Sequence, residues 1–255
     1  MSNAARSSMN TEDKVASNNH FWEHIAKQII IDPDYKQRIY ADWTASGRLF
    51  RPIEDRITNM VGGSMANTHT EDSYTGRVMT TWLHESEQVI KKHVNASTQD
   101  VLLNVGNGMT SALAKLMRMM GWWCHEQHRD AVLASMGEKP LVYITHREHH
   151  SNHTMWIESL VEVKIIPALP GDEIDIEWLE RDLINEQNRK IKIASITAAS
   201  NVTGIETPYR NIAKKMHEND GVCFVDFSAS APYVEINMPV YYTNRTLPTI
   251  YTREL

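Results

Sequence analysis

Short apolar runs alternate with amphipathic segments over the central and C-terminal parts of the chain. The runs typical of buried strands are 101–105, 140–145, 161–166, 191–197 and 222–226. The segments with helical spacing between them are 110–120, 152–160, 176–187 and 208–218. Apolar strands separated by helices of about 10–15 residues predict a mostly parallel sheet with helices on both faces. Asp175 and Pro208 stand at helix starts and are typical of a cap and a first-turn proline.

The N-terminal third of the chain has a weaker pattern. Helical spacing appears at 21–30, 52–61 and 79–94, and 38–42 predicts a short strand. Segment 1–20 is polar and lacks the apolar run of a secretory signal, so we predict a disordered leader there. We expect one large domain from this leader to about residue 238.

Charge and composition exclude several classes of protein. A net charge of −6 disfavours nucleic-acid binding, which depends on releasing counterions from phosphates. The chain contains no run of the roughly 18 apolar residues that span a membrane. Cys124 and Cys223 are too few for a disulfide framework, so we expect a reducing, cytoplasmic location. A hydrophobic fraction of 42% is enough to form a sizeable core.

Parallel sheets bind ligands at the carboxyl ends of their strands, so residues that follow predicted strands are candidates for chemistry. The first such segment is 106–111, Gly-Asn-Gly-Met-Thr-Ser. Glycines permit close approach of the backbone to an anion, and a helix N-terminus offers free N–H groups. An ordinary turn with a capping hydroxyl is the alternative. The segment matches neither the Walker A pattern nor G-x-G-x-x-G.

The second segment, 146–153, contains four histidines. Histidines can bind a metal, stack on a flat heteroaromatic ring, or lie on the surface without a role. Neither H-E-x-x-H nor H-x-x-E-H is present. We therefore predict no metal site, and metal analysis of the purified protein would identify a histidine-rich metal protein.

The third and fourth segments carry an amide and a carboxylate. Asn201, within 199–204, can bond a ligand or close an Asx turn. Asp226 ends an apolar strand, and an unpaired charge there is costly. Its partner can be a protonated pyridine nitrogen, a neighbouring loop or an arginine.

The order and spacing of these motifs resemble those of the aminotransferase class V, cysteine-desulfurase-like family of pyridoxal-phosphate (PLP) enzymes. Residues 40–47 resemble the family's Y-L-D-x-A-A-T opening, and 108–110 its G-T-T loop. Residues 148–152 with Trp156 resemble E-H-H-S-N…W, and 200–204 resemble S-N-V-x-G. Residues 225–226, with 231–232, are similar to V-D-G-A-Q-A-A-P.

The resemblance implies the large domain of a PLP-dependent transferase of fold type I. That domain is a three-layer α/β/α structure with a mainly parallel, mixed sheet of about seven strands. It also implies cofactor contacts: Thr110 and the N–H groups of Gly108 and Met109 would hold the phosphate. His149 would stack on the pyridine ring. Asn201 would bond the ring's 3′ oxygen, and Asp226 would pair with the ring nitrogen.

Two departures from the family's pattern affect the prediction. Ala229 stands where the family has a glutamine that contacts the 3′ oxygen. No lysine follows Lys215, so we expect no counterpart of the Schiff-base lysine and no small C-terminal domain of the family's kind. We therefore expect a truncated domain with an atypical tail at 239–255. It would be a cysteine-desulfurase-like enzyme chain for an amino acid substrate, inactive as written.

The alternative is a non-catalytic remnant that binds the cofactor or a partner. The downstream gene sequence separates the two, because an S-x-H-K motif in another frame would indicate an enzyme. The family's homodimers, and apolar surface left uncovered without the small domain, lead us to expect a homo-oligomer.

Overall fold

A computed structural model describes residues 11–35 and 39–238, with the side chains of 11–19 and 35 excepted. The chain divides into two compact units, 1–84 and 85–255. No helix in the described ranges is long and apolar enough to cross a membrane. The atypical tail predicted at 239–255 lies outside the described residues, and the predicted domain boundaries stay predictions.

The first unit is helical in the part that the structure describes. Its helices are α1 (Thr11–Gln28), α2 (Arg51–Arg56), α3 (Gly62–Ser64) and the start of α4 (Tyr74–His93). A 3₁₀ turn at Pro33–Tyr35 and a π-helical turn at Ile57–Val61 connect them. The three predicted helices are confirmed, and α1 begins inside the predicted leader, of which 1–10 lie outside the description.

The strand predicted at 38–42 is wrong for the described residues 39–42, which pair with no other strand. The segment is a loop, and Tyr40 makes hydrogen bonds within it. The hydroxyl of Tyr40 lies 2.6 Å from the carbonyl oxygen of Ser46, and the indole N–H of Trp43 donates to the Tyr40 carbonyl. These local bonds replace the strand ladder.

The second unit contains the sheet. Its strands are β1 (Leu141–Ile144), β2 (Glu162–Ile165), β3 (Ala168–Leu169), β4 (Glu173–Ile174), β5 (Lys192–Thr197) and β6 (Val222–Asp226). β2, β1, β5 and β6 pair in that order, all parallel, and β3 and β4 form a separate antiparallel ribbon. The strands predicted near 140, 161, 191 and 222 are confirmed. The ribbon was not predicted, because strands of two residues carry no periodicity.

The helices of this unit are α5 (Met109–Met119), α6 (Glu126–Ser135), α7 (His150–Ile157), α8 (Ile176–Asn185) and α9 (Tyr209–Glu218), after the end of α4. All were predicted except α6, which buries no residue and so lacks a clear apolar stripe. The predicted cap is confirmed, since the Asp175 carboxylate accepts the Trp178 N–H at 2.7 Å.

Alternate residues of the strands pack into two separate cores. Leu141 and Tyr143 belong to one cluster with residues of α8 and α9. Val142 and Ile144 belong to another with residues of α5 and α7. Each fully buried aliphatic side chain among these, such as Leu141 or Ile144, contributes about 1.5–3 kcal/mol of hydrophobic stabilisation. The predicted three-layer α/β/α fold with a parallel sheet is therefore confirmed.

The number of strands differs from the prediction. Residues 101–105 have no regular secondary structure, no described residue pairs with them, and Val101 and Leu103 are 75% and 56% exposed. A strand needs a neighbour to accept and donate its backbone hydrogen bonds. The sheet of the described residues consequently has four strands, and the predicted strand at 101–105 is wrong.

Candidate functional site

The carboxyl ends of β1, β5 and β6 lie side by side, because these strands are parallel neighbours. Thr197, the last residue of β5, is in register with Asp226, the last residue of β6. His149 lies in the segment that follows β1, and Asn201 in the turn that follows β5. The structure thus brings three of the predicted site segments to one edge of the sheet.

Asp226 is 5% exposed and its carboxylate is only partly engaged. Its Oδ1 accepts the backbone N–H and the hydroxyl of Ser228, at 2.8 and 2.6 Å. Within the described part of the chain, no arginine pairs with Asp226 and Oδ2 accepts no hydrogen bond. One oxygen is therefore held in place by the following turn, and the other can accept a bond from a ligand.

A polar network behind this edge is centred on Asn152, which is fully buried. Its side chain donates to Glu148 Oε2 at 2.7 Å and accepts from the Ser195 hydroxyl, also at 2.7 Å. The same amide oxygen accepts the Trp156 indole N–H at 3.1 Å, and Glu148 Oε1 accepts the Thr145 hydroxyl at 2.7 Å. The network fastens the loop after β1 to α7 and β5.

The carboxyl group of Glu148 is a weaker acid than that of a free glutamate. Loss of hydration in this enclosed position raises its pKa to about 7, although bonds from Thr145 and Asn152 lower it. The charge of Asp226 raises the pKa further. Sequence reasoning gave Glu148 no role, although it lies inside the E-H-H-S-N motif. Only the structure brings it close enough to the carboxylate of Asp226 for the two charges to interact.

The imidazole of His149 caps α7. Its Nδ1 accepts the Ser151 N–H at 3.3 Å and lies 2.8 Å from the Ser151 hydroxyl. A ring nitrogen that accepts an N–H bond carries no proton, so the remaining proton of the neutral ring is on Nε2. The cap fixes the direction of the ring, and the His150 ring lies 4.1 Å away between centroids.

Two other side chains of the histidine-rich segment contact Asp172. His146 Nε2 lies 2.6 Å from Asp172 Oδ1, and Arg147 Nε lies 3.3 Å from Asp172 Oδ2. The hydrogen bond from His146, with the charges of both partners, holds the pKa of Asp172 below its usual value. The described residues contain no cluster of three side chains able to hold a metal ion.

The predicted phosphate segment forms the start of α5. Gly108 is the N-cap and no side chain caps the helix, so the capping-hydroxyl alternative is wrong. Met109 is buried in the α5–α7 core, whereas Thr110 is exposed. Gly106 has φ +58°, and an added Cβ would lie 2.2 Å from the Cβ of Ser111. The helix therefore begins with uncapped N–H groups after a turn that requires glycine.

Asn201 is exposed in the turn after β5, and its side chain bonds to no other described residue. The hydroxyl of Ser200 accepts the N–H groups of Val202 and Thr203, and the Ser200 carbonyl accepts that of Gly204. The Asx-turn alternative for Asn201 is therefore wrong, because Ser200 closes the turn and leaves the amide available.

The protein is therefore an α/β domain with acidic, amide and imidazole groups at the carboxyl edge of a parallel sheet, which is where such sheets bind ligands. A family model described as aminotransferase class-V matches residues 39–241. The match covers most of the chain, so the chain belongs to the aminotransferase class-V family.

A probable cysteine desulfurase of Halalkalibacterium halodurans is 24% identical over 204 residues, which are 78% of this chain and 46% of that protein. The cysteine desulfurase CsdA of Escherichia coli has a similar fold, with a TM-score of 0.65 at 15% identity, over 86% of this chain and 51% of CsdA. A C-DES mutant with glycine covalently linked to its PLP cofactor has a TM-score of 0.58 at 14% identity, over 84% of this chain and 52% of that one. The chain thus spans about half the length of the proteins it matches.

Proposed function

We propose that these residues form the cofactor-binding part of a PLP-dependent, cysteine-desulfurase-like protein that acts on an amino acid. The observation that carries the proposal is the carboxylate of Asp226, enclosed at the end of a parallel strand with one oxygen available. A protonated ring nitrogen is one donor that suits such an oxygen. The names of the relatives, and the PLP of the C-DES structure, agree with this choice.

The other groups suit the remaining parts of the cofactor. The uncapped N–H groups of Gly108 and Met109, with the Thr110 hydroxyl, would hold the phosphate at a helix N-terminus. The face of His149 would cover the ring, and the exposed amide of Asn201 would bond the 3′ oxygen. When bound, PLP supplies an electron sink for chemistry at the α-carbon of an amino acid. The residues of this chain bind and orient it.

We do not expect these 255 residues to form a covalent link to the cofactor. No lysine follows Lys215. The Lys215 ammonium lies 2.6 Å from Glu180 of α8, and Lys214 lies 3.9 Å from Glu218 within α9. We therefore expect non-covalent binding and no turnover by this stretch alone. The cytoplasmic location and the homo-oligomeric state belong to the same proposal.

Titration with PLP, followed by quenching of tryptophan fluorescence, tests the binding. Loss of a hydrogen bond to a charged group costs about 1.5–3 kcal/mol, so Asp226→Asn should weaken binding roughly 10- to 100-fold. Asp130→Asn changes an exposed carboxylate of α6 and should bind like the unsubstituted chain. Equal binding by D226N, or no binding by the unsubstituted chain, would refute the assignment.

Borohydride reduction with peptide mapping tests the absence of a covalent link. We expect no stoichiometric adduct on any lysine and no sulfide or keto acid release from cysteine. A single modified lysine, together with release of either product, would contradict the expected inactivity.

A further inference from the structure

Arg147, two residues before His149, is almost completely enclosed, with its side chain 6% exposed. Its Nη1 donates to the Glu206 carbonyl at 2.8 Å, and its Nη2 donates to the carbonyl of Asp172. Its Nε lies 3.3 Å from the Asp172 carboxylate, an ion-pair contact without a hydrogen bond. An enclosed guanidinium without acceptors would be an unpaired buried charge, which costs free energy. The acceptors therefore hold the guanidinium in one position.

The Glu206 carbonyl belongs to the base of the turn that carries Asn201. Ala199 and Glu206 form an antiparallel bridge, and the Ser200 N–H donates to the Ile205 carbonyl at 3.0 Å. The chain enters and leaves the turn through this bridge. A group that holds Glu206 therefore sets the position of Asn201.

The second anchor lies at the end of the β3–β4 ribbon. Asp172 has φ +66°, which places its carbonyl in a left-handed turn that directs it to Arg147. His146 bonds the carboxylate of the same residue at 2.6 Å. Arg147 is thus held on one side by the ribbon and holds the Asn201 turn on the other.

We propose that Arg147 is a positioning residue that locks the Asn201 turn to the loop of His149, so that an amide and an imidazole face one ligand in a fixed relation. The inference rests on the proposed function, since it concerns the same cofactor. The planar fork of arginine reaches two carbonyls on separate segments at once, which a single lysine nitrogen cannot do in the same geometry. A lysine at this position would keep the charge and lose one anchor.

Hydrogen exchange in the absence of PLP tests the lock itself. In Arg147→Met, the amides of Ser200 and Gly204 should exchange at least about tenfold faster, which corresponds to 1.4 kcal/mol of lost protection. Amides of β5 and β6 should keep their protection, which shows that the sheet is intact. Unchanged exchange in the turn would overturn the proposal.

Arg129 supplies a matched control, because its guanidinium donates to the carbonyls of Ile157 and Ser159 at 3.1 and 3.2 Å. Arg129→Met removes an equivalent pair of bonds and should leave the 199–206 turn unchanged. Arg147→Lys replaces R147M in the exchange experiment if R147M does not fold. It should also accelerate exchange in the turn, and full protection by lysine would show that charge alone suffices and overturn the lock.

A double-mutant cycle with PLP binding tests the link to the cofactor. If Arg147 acts through Asn201, then R147M and Asn201→Ala should each weaken binding by a similar factor. Their combination should weaken it little beyond N201A alone. Additive losses, or normal binding by R147M, would overturn the link to Asn201.

The two readouts separate the possible failures. If the unsubstituted chain binds no PLP, the proposed function fails together with the cofactor role of Arg147. The exchange result then decides alone whether the arginine holds the turn. If the chain binds PLP but exchange is unaffected by R147M, only the inference fails.

Discussion

At the scale of single residues, the carboxyl group of Glu148 is changed by its surroundings. It is enclosed with Thr145 and Asn152, close enough to Asp226 for the two charges to interact. Its pKa of about 7 in the folded chain lies above the ordinary value of 4.5. A group whose pKa rises on folding stabilises the protein while it is protonated.

The contribution of Glu148 to stability should be complete below pH 4.5 and lost as pH rises to about 7. The loss should be about 2 kcal/mol, since a pKa unit is worth about 1.4 kcal/mol and the site keeps some solvent contact. Urea unfolding between pH 5 and pH 8 measures it. Glu148→Gln should remove this fall in unfolding free energy with pH, whereas Glu158→Gln, at an exposed position, should retain it. Equal slopes in all three chains would contradict the assignment.

At the scale of elements, the cap of α8 is a local interaction with a predictable effect. Asp175→Ala removes the acceptor of the Trp178 N–H at the start of a helix that buries Leu179 and Leu183. The free energy of unfolding should fall by about 1 kcal/mol. Asp175→Asn keeps an acceptor oxygen and should cost only a few tenths of that. Denaturant titration of both variants measures the capping effect. Equal losses of unfolding free energy in the two variants would exclude it.

The turn before α5 should be equally sensitive to one methyl group. Gly106→Ala places an alanine in the left-handed backbone conformation. Its Cβ would lie 2.2 Å from the Cβ of Ser111, so the start of the helix must shift. We expect a loss of about 1–3 kcal/mol in the free energy of unfolding. Gly137→Ala meets nothing within 4 Å and is the matched control. Similar stability of the two variants in urea would show that the turn adapts freely.

At the scale of the whole molecule, the second unit contains an apolar groove, from which we expect association. The unpaired segment 101–105 lines it with Ile90, Met119 and Met238. Val101 and Leu103 expose most of their side-chain surface there. Uncovered apolar surface of this kind marks an interaction site.

We therefore expect concentration-dependent self-association at micromolar concentration, measured by sedimentation velocity or light scattering. Leu103→Asp should weaken it about tenfold or more, because a charge would have to be buried in the contact. Val202→Asp changes an exposed apolar residue outside the groove and should have no effect. A monomer at every concentration, or equal association of both variants, would contradict the prediction.

Much of the fold could be predicted because it depends on local periodicity. The apolar run that became β5 and the cap at Asp175 are visible in the order of residues alone. The segment 101–105 is also mostly apolar but is not a strand in the described residues, because pairing depends on a neighbour that periodicity does not specify. The cofactor contacts assigned to Thr110, His149, Asn201 and Asp226 stay predictions.

The sequence by itself determined the alternation of helices and strands, their parallel class and the positions of the motifs after three strands. Each of these follows from spacing over a few residues and from the chirality of the chain. Tertiary structure alone decided that Glu148 lies near Asp226, and that Arg147 joins two carbonyls 25 and 59 positions away. Such contacts depend on which segments the folded sheet brings together, and no local pattern encodes that.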